Sequence, residues 1–116
     1  MQGLVEPAHI YLHRDPVDFR KSINGLSAWV ESEMQLPLFS GALFLFCNKA
    51  RDRIKILYWD KTGFALWQKR LEKDKFKWPL KQPQRHLSLT QVQLDWLLDG
   101  FDVIGHQPLH YAAVSL

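Results

Sequence analysis

Four carboxylates are the residues of this chain that could support metal-dependent strand cleavage: Asp15, Asp18, Asp60 and Glu72. Such chemistry needs three carboxylates that converge on two metal ions about 4 Å apart. Asp15 and Asp18 are better explained as helix-start residues, Asp60 as a turn residue, and Glu72 as a partner for nearby lysines. Since no spacing signature predicts that these acids meet, we expect no catalytic residue and a protein that is not an enzyme.

Two histidine pairs have a gap that is found in zinc sites, His9 with His13 and His106 with His110. Zinc normally takes three or four ligands, and neither pair falls on a predicted helix that would align neighbours four residues apart. The single cysteine, Cys47, lies in the most apolar segment, where nothing nearby would lower its pKa. We therefore expect no metal site and no cofactor, and a Cys47 that behaves as a small buried hydrophobic residue.

Basic residues are concentrated between positions 49 and 85, where twelve Lys or Arg face four Asp or Glu, against three and eight in the rest of the chain. Such asymmetry attracts polyanions, although lysines also guard sheet edges against aggregation. The hypothesis is a phosphate-contacting basic strip formed by Arg51, Arg53, Lys55, Lys69, Arg70, Lys73, Lys75 and Lys77.

Two further cations, Arg20 and Lys21, stand in the first turns of a predicted helix, where the helix dipole disfavours positive charge. A bound anion would relieve that cost, so we add both to the predicted nucleic-acid-binding residues. The alternative is that they reach solvent or pair with Asp18.

Three tryptophans, Trp59, Trp67 and Trp78, are interleaved with the basic strip and could stack on unpaired bases. The alternative places them in the core, and we expect this for at least two of the three. No helix-turn-helix or other groove-reading signature is present, so sequence-specific readout is not supported.

The elements that position these residues follow from hydrophobic periodicity. Asp15 and Pro16 predict the start of an amphipathic helix that runs to about Met34, and Thr90 with Gln93 predicts a capping box for a second helix. Strands are predicted at 9–13, 42–47, 54–59, 64–72 and 86–89. After the strand at 64–72, Lys73, Lys75 and Lys77 alternate with Asp74, Phe76 and Trp78, so in an extended segment the lysines share one face. The prediction is an α+β domain with a mostly antiparallel meander sheet and both helices on one face.

The 116 residues predict a single domain over 1–116, with an ordered core at about 9–101 and a tail or strap at 102–116. The longest apolar run, Ala42–Cys47, is too short to span a bilayer, and the N-terminus does not have the pattern of a signal peptide. Together with the lone cysteine, these features predict a cytoplasmic protein without a membrane partner.

An ordered series of short motifs resembles one protein family. It comprises DFRK at 18–21, SGALFLF at 40–46, RDRIKILYWD at 51–60, GFALWQKRLE at 63–72, FKWP at 76–79 and LSLTQVQLDWLLDG at 87–100. The set is similar to the TnpB-type, Orf2-like accessory proteins of bacterial insertion sequences that encode a separate DDE transposase. The resemblance covers about residues 10 to 101 and defines no catalytic residue.

The resemblance implies a non-catalytic accessory protein in DNA transposition. The basic strip leaves two modes of action open for it. In the first, the protein binds DNA at the element ends or in an intermediate, non-specifically and through the basic strip. In the second, it is an adaptor that holds the larger transposase without touching DNA. In either case the expected partners are macromolecules, with no small-molecule substrate.

Overall fold

The core of the molecule is a five-stranded sheet in the order β4-β3-β2-β1-β5. The computed structural model describes residues 9–36 and 39–103. The strands are β1 (Ile10–His13), β2 (Leu43–Cys47), β3 (Arg53–Asp60), β4 (Gly63–Arg70) and β5 (His86–Leu89). The helices are α1 (Ile23–Trp29), which continues as a π-helical segment (Val30–Met34), and α2 (Gln91–Leu98).

The sheet is mixed, which corrects part of the predicted topology. Strands β2, β3 and β4 form the expected antiparallel meander, and β5 is antiparallel to β1. Strand β1, however, is parallel to β2. The chain leaves β1 at one end of the strands and returns through α1 to begin β2 at the other end. A parallel pair of strands requires such a crossover.

The two helices cover opposite faces of the sheet, so the prediction that they share one face is wrong. Every residue of β2 is buried, and its side chains alternate between two separate core clusters. Leu26 of α1 packs in the cluster that contains Phe44, whereas Leu94 of α2 packs in the cluster that contains Leu45. A central strand that is apolar on both faces needs cover on both, and one helix goes to each.

Helix α1 begins at Ile23, later than the sequence predicts. Asp15 does not cap a helix, because its carboxylate accepts a 2.9 Å hydrogen bond from the Arg14 guanidinium. The backbone N–H of Val17 donates to the carbonyl oxygen of Cys47 at 2.9 Å, which ties this segment to the end of β2. Residues 14–22 therefore lie against the end of the sheet before the helix starts.

Helix α2 has the predicted capping box. The hydroxyl of Thr90 accepts from the backbone N–H of Gln93 at 3.1 Å, and the side chain of Gln93 accepts from the backbone N–H of Thr90 at 2.9 Å. The helix C-terminal end is followed by Val103, which is buried in the α2-side cluster. The rest of the predicted tail, 104–116, lies outside the described residues.

Across residues 9–36 and 39–103, no helix combines the length and the apolar character that crossing a membrane would require.

Candidate nucleic-acid interface

Basic residues are concentrated at one end of the sheet, where the termini of all five strands meet. Strands β1, β2 and β4 run in one direction and β3 and β5 run in the other, so three strands end and two begin at this end of the sheet. Basic side chains follow or precede these termini: Arg14 after β1, Lys49 and Arg51 in the β2–β3 turn, Arg53 and Arg70 within β3 and β4, and Arg85 before β5. We call this end of the sheet the basic end.

The segment after β4 folds back across the basic end. The backbone N–H of Leu71 donates to the carbonyl oxygen of Asp52 at 2.8 Å, and that of Phe76 donates to the carbonyl oxygen of Arg51 at 2.7 Å. Phe76 and Trp78 are buried on the α2 side of the sheet, and the indole N–H of Trp78 donates to the carbonyl oxygen of His13 at 3.0 Å. These contacts fix residues 71–78 on the sheet as an extended segment, which we call the strap.

The strap forms one wall of a depression with a volume of about 460 Å³, which we call the lysine groove. It is lined by Arg51, Lys73, Asp74, Lys75, Phe76, Lys77 and Trp78. The predicted alternation is confirmed, since the three lysines are exposed while the two aromatic residues are buried. Among the described residues, no carboxylate lies within ion-pair distance of the three lysines.

Arg51 holds its place in the groove at a cost in backbone energy. Its φ of 62° lies in the left-handed region, which costs a residue with a Cβ roughly 1–2 kcal/mol. The conformation closes the β2–β3 turn, where the Arg51 N–H donates to the carbonyl oxygen of Asn48 at 3.0 Å. Glycine would meet this backbone requirement more easily, so the arginine side chain is not explained by the turn itself.

A second group of cations lies on the α1 face of the basic end. Arg53 and Arg70 are directly opposite each other in the β3–β4 ladder, an arrangement of like charges that is unfavourable unless an anion is near. Arg70 is paired with Glu72 at 3.1 Å. The pKa of the Asp52 carboxyl is lowered, first by a hydrogen bond from Asn48 and further by the charges of Arg53 and Arg70.

Arg20 is partly committed to a neighbouring acid, as the alternative interpretation proposed. Its guanidinium lies 2.6 Å from the carboxylate of Asp18, and these hydrogen bonds lower the pKa of Asp18 to about 2. Both side chains are exposed, so the pair contributes little to stability. Lys21 is exposed beside it.

Lys55 is not on the surface, and the structure removes it from the basic strip. The residue is 7% exposed, and its ammonium group donates to the carbonyl oxygens of Phe19 at 2.9 Å and Lys21 at 2.8 Å. The ammonium also lies 4.7 Å from the centre of the Phe19 ring. Burial, with a smaller effect from Arg53, lowers the pKa of Lys55. Lys55 thus fastens the 19–21 segment to the sheet.

Lys69 is separated from its neighbour Arg70 by the pleat of β4. Its side chain lies on the α2 face, where the ammonium donates to the carbonyl oxygen of Leu98 at 2.8 Å. This contact satisfies a carbonyl in the last turn of α2, where positive charge is favourable. Lys69 and Arg70 therefore do not act as one basic pair.

The tryptophans do not form a stacking surface beside the cations. Trp78 is buried, and Trp67 packs against the α2-side cluster, which agrees with the expectation that at least two of the three belong to the core. Trp59 lies near the opposite end of the sheet, with ring centres 5.0 Å from both Phe39 and Phe64.

The other candidate chemical groups have structural surroundings. Cys47 is buried, and that burial raises the pKa of its thiol to about 12, so the thiolate needed for nucleophilic attack is disfavoured. His13 is buried whereas His9 is exposed, and His106 and His110 lie outside the described residues. Within 9–36 and 39–103, no three His, Cys, Asp or Glu side chains come together as metal ligands.

Three exposed cations at the basic end were missed by the sequence analysis: Lys49, Lys81 and Arg85. Lys81 and Arg85 belong to a connector that Arg14 holds against the sheet by donating to the carbonyl oxygen of Gln82 at 2.9 Å. The basic composition of 81–85 was visible in the sequence, but its position at the basic end beside Arg14 depends on β5 pairing with β1.

Comparison with known proteins places the chain in a family. A family model described as IS66 Orf2 like protein matches residues 8–108. Two similar proteins come from Sinorhizobium fredii: "Uncharacterized protein y4jC" is 38% identical over 102 residues, covering 83% of this chain and 87% of that protein. "Uncharacterized protein y4hO" is 27% identical over 93 residues, covering 80% of each. No solved structure matches. The family match spans most of the sequence, and the chain therefore belongs to the IS66 Orf2-like family of accessory transposition proteins.

Proposed function

We propose that this protein assists transposition by binding DNA non-specifically through its basic end. The lysine groove is the observation that carries the proposal. Three exposed lysines on one side of an extended strap, joined by Arg51, have no carboxylate at ion-pair distance within the described part of the chain. Phosphate binding by unpaired cations of this kind is favourable, because it releases the counterions condensed on the DNA.

Arg53, Lys21 and the partly paired Arg20 and Arg70 extend this surface onto the α1 face. A phosphate placed between Arg53 and Arg70 would relieve the repulsion between these two like charges. Because Asp18 and Glu72 already compete for Arg20 and Arg70, we assign these four residues a secondary role behind the lysine groove.

The mode of binding we propose is contact with the phosphate backbone. The aromatic residues of the groove are buried, so no flat ring is offered to an unpaired base there. Both helices pack on the sheet, and the described chain contains no helix-turn-helix unit that could enter a major groove. Charge without base contacts predicts affinity for duplex DNA of any sequence.

The test is fluorescence anisotropy of a labelled DNA duplex with the charge-reversal variants Lys75→Glu and Lys61→Glu. Both variants change the net charge equally. Lys75 lines the groove, whereas Lys61 is in the β3–β4 turn at the end of the sheet opposite the basic end. Lys75→Glu is expected to weaken binding several-fold more than Lys61→Glu. Equal losses would show that net charge, rather than the groove, determines binding.

An adaptor that holds the element's transposase is the second candidate, and an exposed aromatic residue favours it. Phe39 is 65% exposed and lies against Trp59 and Phe64. Exposed aromatic rings of this kind are typical of protein contacts. If the protein fails to bind DNA at low salt but still captures the transposase, and Phe39→Ser abolishes that capture, the adaptor function replaces the DNA-binding one.

A further inference from the structure

Strand β4 is a long edge of the sheet. It pairs with β3 along its whole length of eight residues, and no other described strand pairs with its second side. The other edge strand, β5, has four residues and runs directly into α2. Edge strands of soluble proteins are usually short or guarded by charge, because their unpaired backbone groups accept another strand.

The backbone groups that point away from β3 can be identified. The Leu71 N–H donates to the Asp52 carbonyl oxygen, and in an antiparallel ladder the residues that bond to the neighbouring strand alternate. Residues of β4 in phase with Leu71, such as Trp67 and Lys69, therefore bond to β3. The residues that present both N–H and C=O outward are Phe64, Leu66, Gln68 and Arg70.

The middle of this edge has none of the usual protection. Residues 64–67 are Phe, Ala, Leu and Trp, and all four are partly exposed. The two cations of β4 stand at its end, and one of them, Lys69, donates its hydrogen bond to Leu98 on the α2 face. An apolar, bulge-free edge of this length predicts strand pairing with a partner.

We propose that this partner is a second copy of the chain, which adds its own β4 in the antiparallel direction about a two-fold axis at Trp67. In this register Phe64 pairs with Arg70 of the partner copy, and Leu66 pairs with Gln68 of the partner copy. Every outward N–H and C=O of the four outward-facing residues then has a hydrogen-bonding partner. The two Trp67 side chains meet at the non-hydrogen-bonded position, where cross-strand side chains are closest.

Charge selects this arrangement over a parallel one. Antiparallel pairing moves the two Arg70 side chains to opposite ends of the interface and places each beside Phe64, whose ring already lies 5.7 Å from that of Phe39. A guanidinium over an aromatic ring is favourable. Parallel pairing would bring the two basic ends side by side, whereas the two-fold axis directs them away from each other.

A proline substitution tests the interface without breaking the β3–β4 ladder. The N–H of Gln68 points outward, so Gln68→Pro removes a donor only from the edge, where proline is tolerated. The matched control is Gln68→Ala, which keeps the N–H. By sedimentation equilibrium over a concentration series, the wild type and Gln68→Ala are expected to reach about twice the 13.6 kDa mass of the chain, and Gln68→Pro to stay at that mass.

Amide hydrogen exchange of the wild type gives a second measurement that needs no variant. The amides of Leu66 and Gln68 are expected to gain protection as concentration rises, while that of Trp67, which already bonds to β3, changes little. A wild type that stays monomeric throughout the series overturns the proposal. So does a dimer that survives Gln68→Pro or that leaves the Leu66 and Gln68 amides unprotected. If Gln68→Pro fails to fold, the amide measurement decides.

Discussion

The backbone N–H of Phe76 donates a 2.7 Å hydrogen bond to the carbonyl oxygen of Arg51. This bond joins the strap to the β2–β3 turn and brings Arg51 to the lysines of the groove. The same arginine has the left-handed backbone conformation that glycine adopts without strain. The groove thus keeps a charged side chain at a position where the backbone favours its removal, a conflict typical of functional residues.

Replacing Arg51 with glycine is expected to separate stability from binding. The free energy of unfolding in Arg51→Gly should be unchanged or higher by up to about 1 kcal/mol, because the strain at φ 62° is relieved. Affinity for duplex DNA should fall, since one phosphate contact is lost. Urea denaturation and anisotropy titration measure the two effects. A variant that is markedly less stable, or that binds DNA as the wild type does, would contradict the assigned role.

Lys55 is expected to contribute to stability rather than to DNA binding. Lys55→Met removes the donor for the carbonyl oxygens of Phe19 and Lys21 and should lower the free energy of unfolding by about 3 kcal/mol. Lys61→Met, at an exposed turn position, is the control and should change it by less than about 0.5 kcal/mol. Urea denaturation makes the comparison. Equal stabilities of the two variants would show that the Lys55 contacts do not hold the 19–21 segment.

Stability is expected to fall in mildly acidic solution because of His13. Burial, followed by the nearby His86, lowers the pKa of His13 to about 4 from its ordinary value of 6.5. The unfolded chain therefore binds a proton at His13 at pH values where the folded chain does not. The contribution of His13 to the free energy of unfolding is fully present above pH 6.5. It is lost as the pH falls toward 4, by up to about 1.4 kcal/mol per pH unit.

The variant His13→Phe tests this assignment, since the site is lined by aromatic rings, with Trp29 at 4.3 Å and Phe46 at 6.3 Å between centres. Its unfolding free energy, measured by urea denaturation at several pH values, should vary less between pH 6.5 and 4 than that of the wild type. His9→Phe at the exposed neighbouring position is the control. If both variants keep the full wild-type dependence, another group is responsible for the acid sensitivity.

The features that the sequence predicted well are those that local pattern determines. The two-residue period after β4 predicted that the lysines share one face and that Phe76 and Trp78 lie on the other, which the structure shows to be buried, and the Thr90–Gln93 spacing predicted a capping box. In both cases the physical cause lies within a few residues of chain, so no knowledge of the tertiary structure was needed.

The features that the sequence did not predict depend on contacts between distant segments. Lys55 alternates with apolar residues as an outward-facing residue would, and its burial follows from two carbonyl groups more than thirty positions away. Asp15 and Pro16 have the local chemistry of a helix start, but Arg14 and the end of β2 bind this segment instead. The placement of the helices on opposite faces depends on which core cluster each helix joins, α1 with Phe44 and α2 with Leu45, and short-range periodicity does not reveal this.

The salt dependence of duplex DNA binding tests the central claim most directly. For each phosphate that the lysine groove neutralises, the slope of log K against log salt concentration should gain about 0.9 in magnitude. Lys75→Ala is expected to reduce that slope by about 0.9, while Lys61→Ala should leave it unchanged. A wild-type protein that does not bind duplex DNA at low salt, or equal slopes for the wild type and both variants, would contradict DNA binding by the basic end.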